Sequence, residues 1–244
     1  MPTVRLDLEY DGSGFRGWAA QPGLRTVQGE LETALAVVLR EPVRLTVAGR
    51  TDTGVHALGQ VASFRTGAEL PRDLARSLNG VGPDDVAVTA ASVAADGFDA
   101  RRDARSRSYR YRLLARSAPS PFEQGRALWW PHRVDRAALD ACAAALAGTH
   151  DFTAFTPTQT DHVRFERDVI RAEWADDGGD VLAFRIEADA FMRNMVRALV
   201  GTQLEVASGR RSVADFQQLL EGAPRSAAGD TAPPHGLYLE SVRY

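Results

Sequence analysis

Two hydrophobic periods take turns along this chain, and their order limits the architectures open to it. Residues 4–10 alternate apolar and polar side chains with the period of two of a half-buried strand, then end in the turn cluster Asp11-Gly12-Ser13-Gly14. Over residues 26–39 the period changes: Val27, Leu31, Leu35 and Val38 recur at helical spacing behind Thr26, a helix-starting residue. Strands are predicted at 43–48, 60–65, 86–93 and 108–114, with a short helix at 72–78. Beyond 115–121, the best candidate for a linker, the order recurs loosely. A helix is predicted at 135–146 with Asp135 as N-cap, then strands at 168–175 and 181–188 joined by a hairpin at 176–179. A long helix at 192–207, a shorter one at 213–220 and a closing strand at 237–244 complete the chain. Strands with interspersed helices in both halves predict an α+β fold of two similar sub-domains, 1–115 and 116–244.

Composition removes several classes of function. The 244 residues are 44% hydrophobic and 25% charged, ordinary for a globular protein with a real core. No apolar run approaches the roughly 18 residues of a membrane span, so a cytoplasmic protein is expected. A single cysteine, Cys142, excludes an internal disulfide and a multi-cysteine zinc site; its alanine-rich surroundings predict a small buried residue. The five histidines form no His-x-x-x-His pair, and Gly12-Ser13-Gly14 lacks the third glycine of a dinucleotide fingerprint. No nucleophile elbow surrounds any serine. Neither a metal nor a cofactor is expected.

Charge is unevenly placed. The whole chain sums to -3, yet seven arginines stand against Asp103 alone between Arg101 and Arg116. Such a cluster is a candidate phosphate-binding surface. All 29 basic residues are arginine, which fits a compositional bias as well as a functional choice, so their position says more than their identity.

One loop invites chemistry. Gly49-Arg50-Thr51-Asp52-Thr53-Gly54-Val55-His56-Ala57 follows an apolar strand and precedes another, placing one carboxylate between a guanidinium and two hydroxyls. Asp52 there is either a turn residue bonding its own backbone or a carboxylate kept ionised as a nucleophile. The residues alone leave both open.

That run resembles the central motif of the TruA family of tRNA pseudouridine synthases, and other blocks resemble the family in the same order. Upstream stand Tyr10-Asp11-Gly12, Phe15, Gly17-Trp18 and Gln21, then Thr26-Val27-Gln28-Gly29 with Leu31-Glu32. Downstream come Phe98, Ala100-Arg101 and Ser108-Tyr109-Arg110-Tyr111, then Gly148, His150-Asp151-Phe152 and Phe155. Phe191, Met195-Val196-Arg197 and Val200-Gly201 follow, and Ala232-Pro233-Pro234-His235-Gly236-Leu237-Tyr238-Leu239 closes the series. Departures are mild: Ala19 and Thr53 stand where the family commonly has Gln and Ala, and Asn79-Gly80-Val81-Gly82-Pro83 lacks a leucine before the proline.

The resemblance implies two α+β sub-domains forming an extended, mainly antiparallel central sheet flanked by helices, with an active-site cleft between them. It implies an isomerase that converts uridine to pseudouridine at positions 38, 39 and 40 of the tRNA anticodon stem-loop, working as a homodimer without metal or nucleotide cofactor. Asp52 is then the nucleophile, Arg197 its charge partner and Tyr109 the ring that stacks on an extruded base. Arg101, Arg102 and Arg105 would grip phosphates, and Arg50 would face either the RNA or a structural ion pair. Each has a plainer alternative: Arg197 could cap a helix face, and Tyr109 could be one apolar position of an amphipathic strand. A non-catalytic RNA-binding module is the rival from another class, and a glycoside or nucleoside hydrolase the rival enzyme.

Overall fold

The computed structural model describes residues 1–160 and 162–244. Two compact units divide the chain, residues 1–105 with 238–244 and residues 106–237. The expected boundary at 115/116 therefore lies ten residues too late. The strand before it hydrogen-bonds along its whole length to residues 181–188, which fixes it in the second unit.

In the first unit, strand β1 (Thr3–Tyr10) runs antiparallel to β3 (His56–Arg65) on one side and β4 (Val86–Val93) on the other. The period-two reading holds: Val4, Leu6 and Leu8 are wholly buried, at intervals of two. Strand β10 (Leu237–Arg243) pairs in parallel with β3 through Tyr238 and Leu239. Only Thr46–Val47 of the expected 43–48 strand joins the ladder, as the two-residue β2. Helix α1 (Val27–Leu39) is started by Thr26, whose hydroxyl accepts the Gly29 N–H, and buries Val27, Leu31, Ala34, Leu35 and Leu39 along one face. At about 1.5–3 kcal/mol for each buried leucine or valine, that face rather than helix propensity holds α1 in place. The short helix α2 (Leu74–Asn79) is capped by Asp73.

In the second unit, β5 (Ser106–Leu114), β9 (Val181–Ala188), β8 (Glu166–Asp176) and β7 (Gly148–Asp151) form an antiparallel series in that order. A two-residue strand, β6 (Leu128–Trp129), lies parallel to β5. Helices α3 (Arg136–Ala144), α4 (Met195–Ala207) and α5 (Val213–Gln218) complete this unit, α3 against β8 and α4 against β5. Trp174 of β8 donates its indole N–H to Gln203 of α4 at 2.8 Å, a buried bond that fixes the helix. Cys142 is fully buried in α3, where burial pushes its thiol pKa up to about 12, in line with an inert small residue. Among the described residues, no helix is long and apolar enough to cross a membrane.

The turn joining β8 to β9 corrects the reading of the arginine cluster. Alternation on β5 does put Tyr109 and Tyr111 on one face and Arg110 and Arg112 on the other. Those arginines do not form an open phosphate surface, because Asp177 lies against them: its carboxylate is 3.3 Å from Arg110, 3.0 Å from Arg112 and 2.8 Å from Arg185. Glu123 takes Arg112 from the other side at 2.6 Å. Burial alone would raise the Asp177 pKa, but the Arg112 hydrogen bond and the three guanidinium charges hold it below the usual carboxylate range.

Asp177→Ala is therefore expected to lower stability on the order of 2–3 kcal/mol at pH 7, less than the cost of breaking a fully buried pair because the arginines keep some water. A carboxylate with a depressed folded-state pKa stabilises above its ordinary pKa near 4, and that contribution fades as pH falls through the lower folded value. Urea midpoints at pH 7 and at successively lower pH check both: the variant should differ at pH 7, and the gap should narrow as the pH falls. Equal midpoints at pH 7 would make the cluster a solvated surface feature.

Candidate active site

The loop bearing Asp52 is shaped by the N-terminal motif. Gly12 follows β1 with its Cα against the Val55 carbonyl, where any Cβ would collide. Gly17, at φ +89°, passes so close that a Cβ would meet the Thr51 carbonyl at 3.0 Å and the Thr53 nitrogen at 3.3 Å. Between these contacts the Trp18 N–H donates to the Thr51 carbonyl at 3.0 Å, and the Trp18 ring is buried. The motifs 10–21 and 49–57, far apart in sequence, are two halves of one interlocked backbone.

Asp52 itself is half-buried and opens a four-residue turn: its carbonyl accepts the Val55 N–H at 3.1 Å, with Gly54 at φ +77°. A main-chain atom thus closes the turn, so a turn position and a chemical role for the side chain are compatible. Thr51 is buried, and its hydroxyl lies 2.8 Å from Tyr10 Oη. His56 is also buried; Nδ1 accepts the Gly12 N–H at 3.1 Å while the ring stacks on Tyr238 at 4.6 Å and 19°. These contacts make His56 a brace between the two glycine loops. Arg50 is exposed.

Arg101, Arg102 and Arg105 are exposed as well. The turn that presents them is organised by Asp99, whose Oδ1 accepts the Arg101 and Arg102 N–H groups at 2.9 Å each. Burial works to raise the Asp99 pKa, but these backbone bonds and the Arg102 charge leave it lowered. Arg102 also reaches back to the Asp99 carboxylate at 3.2 Å while remaining largely in water. Ala100, wholly buried, anchors the turn through its N–H to Ser63 Oγ, and its carbonyl accepts the Tyr244 hydroxyl at 2.8 Å.

The second unit holds the other two expected residues. Tyr109 is 7% exposed, and its ring meets Phe191 edge-on at 4.9 Å and 76°. Its neighbour on the same face, Tyr111, is fully buried and donates its hydroxyl to the Pro233 carbonyl at 2.8 Å. Burial raises the Tyr111 pKa, against the opposing charge of Arg197. Arg197 is half-buried on the first turns of α4; Nε donates to the Ala232 carbonyl at 2.7 Å and one Nη to Asn194 Oδ1 at 3.1 Å. The Arg197 carbonyl in turn accepts the Ala232 N–H at 3.1 Å, so the start of α4 and the backbone at Ala232 are tied to each other through this residue.

Asp52, Arg50, Arg101, Arg102 and Arg105 thus belong to the first unit, and Tyr109 and Arg197 to the second. Two positions carried a signal that sequence reasoning passed over. Asn194 sits at φ +61°, a left-handed conformation that asparagine tolerates better than most residues, and this is why α4 begins at Met195 rather than 192. Gln60, an amide on a strand face otherwise apolar, is completely buried and bonds into the Asp52 loop.

A family model described as tRNA pseudouridine synthase matches residues 8–101 and 142–244 of this chain. Curated proteins named tRNA pseudouridine synthase A are similar along the whole length. The one from Frankia casuarinae is 46% identical over 244 residues, covering 99% of this chain and 89% of the relative. Those from Bacillus subtilis and an Exiguobacterium species are 41% and 39% identical, covering 99% and 100% of this chain and 98% of each relative.

Proposed function

The chain belongs to the family of tRNA pseudouridine synthases, isomerases that turn uridine of tRNA into pseudouridine, and we propose that it does so with Asp52 as nucleophile. The observation that carries this reading is the Asp52 loop itself: a carboxylate presented on a backbone that two glycines and Trp18 hold in one conformation. In the proposed course the carboxylate attacks C1′ of the ribose and the glycosidic C–N bond breaks, its electron pair leaving on N1 of uracil. The freed base turns within the pocket, and C5 bonds to C1′ as the carboxylate departs. The C5 proton is then lost and N1 gains one, so atoms balance and nothing is oxidised.

The other roles follow from the same chemistry. Arg197 supplies the positive charge that keeps the nucleophile ionised, an assignment resting on the family resemblance; its two bonds to Ala232 and Asn194 limit the ways the guanidinium can turn. Tyr109 stacks on the extruded uracil, whose removal from the RNA stack costs a few kcal/mol. Exposed Arg50 faces the RNA. The target at tRNA positions 38, 39 and 40, a homodimeric state and a cytoplasmic location are parts of the proposal that come from the resemblance.

Chemical mapping of pseudouridine in unmodified tRNA after incubation with the protein tests the reading. New marks at 38–40 are expected; marks only elsewhere would overturn the target, and none at all would leave a binding module. Released uracil would identify a hydrolase.

Arg101, Arg102 and Arg105 are proposed to contact phosphates. Replacing all three by alanine should weaken binding about equally for different tRNAs and reduce the slope of log affinity against log salt by about 2, at roughly 0.7 per lost contact. An unchanged slope would assign these arginines to the architecture of the Asp99 turn.

A further inference from the structure

A buried polar chain runs behind the Asp52 loop. Gln60, 0% exposed on β3, donates from Nε2 to the Gly49 carbonyl at 2.7 Å and to Tyr10 Oη at 3.2 Å. Its amide cannot be turned over without loss, since the Gly49 carbonyl only accepts and Gln60 Oε1 already takes the Val61 N–H at 3.2 Å. Tyr10 Oη therefore accepts from Gln60 and has one hydrogen of its own to place; Thr51 Oγ1 lies 2.8 Å away. Burial pushes the Tyr10 pKa up to about 12 in spite of both hydrogen bonds, so that hydrogen stays on the phenol at working pH. The phenol is thereby tied to both Gln60 and Thr51, one buried connection from β3 through β1 to the Asp52 loop. Thr51, itself buried, is thereby held by its side chain from behind. The next residue in the sequence is Asp52.

We propose that Tyr10 is a positioning residue for the isomerisation: held by Gln60, its hydroxyl fixes the Thr51 side chain and, through the adjoining backbone, the placement of the Asp52 carboxylate. This rests on Asp52 being the nucleophile. Two residues on the near side of Asp52 are held from behind, Gly49 by Gln60 and Thr51 by Tyr10 at its side chain and Trp18 at its carbonyl. The Tyr10 ring has a separate packing role, tilted at 43° against Trp18 with centroids 6.0 Å apart, and phenylalanine preserves it. Removing the hydroxyl alone strands one buried Gln60 N–H and releases Thr51 Oγ1 to reorient.

The test compares single-turnover pseudouridine formation and tRNA affinity in Tyr10→Phe, Thr51→Val and the double variant, with Asp52→Asn alongside. Each of the first two should slow the chemical step on the order of 10- to 100-fold, the scale set by slight misplacement of a reacting group. The tRNA Kd should stay within about two-fold, since the lost interaction acts on the reacting geometry and not on RNA binding. The double variant should be no slower than the slower single one, because both break the same chain. Thr51→Ser, which keeps the hydroxyl, should recover most of what Thr51→Val loses. A wild-type rate in Tyr10→Phe, or losses that multiply in the double variant, would overturn the proposal. Should Tyr10→Phe fail to fold, a wild-type rate in Thr51→Val would overturn it equally. Turnover by Asp52→Asn would overturn the nucleophile reading beneath it instead.

Discussion

Asp52→Asn is expected to fold, to bind tRNA as the parent does, and to form pseudouridine at least on the order of 10^4-fold more slowly, the scale of removing a catalytic aspartate or nucleophile. Folding should survive because the turn at 52–55 is closed by the Asp52 carbonyl, which asparagine retains, and asparagine suits such turns as well as aspartate does. Binding should survive because removing one negative charge does not weaken attraction for phosphates. Chemistry should not, because the neutral amide is a poor nucleophile toward C1′. Release of tritium from C5-labelled uridine in tRNA reads the reaction directly, since that proton must leave before the product is complete. Turnover near the parent rate would dismiss Asp52 as nucleophile. A variant that does not fold would return the residue to a purely conformational role.

Tyr109 separates ring from hydroxyl. In Tyr109→Ala the base loses a stacking partner worth about 1–3 kcal/mol. The second unit loses a ring that is 7% exposed and edge-on to Phe191, a truncation costing roughly 3–5 kcal/mol in a well-packed core. Most activity should vanish, with a lower melting temperature. Tyr109→Phe preserves both the stacking face and the Phe191 contact, so tRNA affinity and stability should match the parent. Its turnover should still fall, because the phenolic oxygen is the group expected to take the C5 proton at the end of the reaction. The C5-linked base that still carries its C5 hydrogen should then accumulate in single-turnover experiments, with tritium release from C5 slowed. Full activity in Tyr109→Ala would confine this ring to packing within its unit and transfer the stacking role elsewhere.

Much of the local structure was legible in the sequence because its causes are local. The alternation that buries Val4, Leu6 and Leu8, the Thr26 and Asp135 caps, and the glycine-rich hairpin after β8 all depend on near neighbours. Errors cluster where distant partners decide. Strand β7 was passed over because Gly148-Thr149-His150-Asp151 has no apolar period; it is a strand because β8 offers it a hydrogen-bonding edge. The 43–48 strand shrank to Thr46–Val47 for the same kind of reason, since only those two residues pair in register with β3.

The sequence by itself determined the candidate for the chemistry, a carboxylate bracketed by glycines at Gly49 and Gly54, and the α+β order of strands and helices, because stereochemistry and periodicity act over a few residues. Tertiary structure alone decided which charges remain available and which polar side chains meet. Arg110 and Arg112 look like free cations in the sequence, yet Asp177, some 65 residues away along the chain, takes them up once β5 and β9 pair. Likewise, nothing near Tyr10 in the sequence foretells its bond to Thr51: the pairing of β1 with β3 brings Gln60 alongside the phenol, and the folded loop brings Thr51 to within 2.8 Å of it.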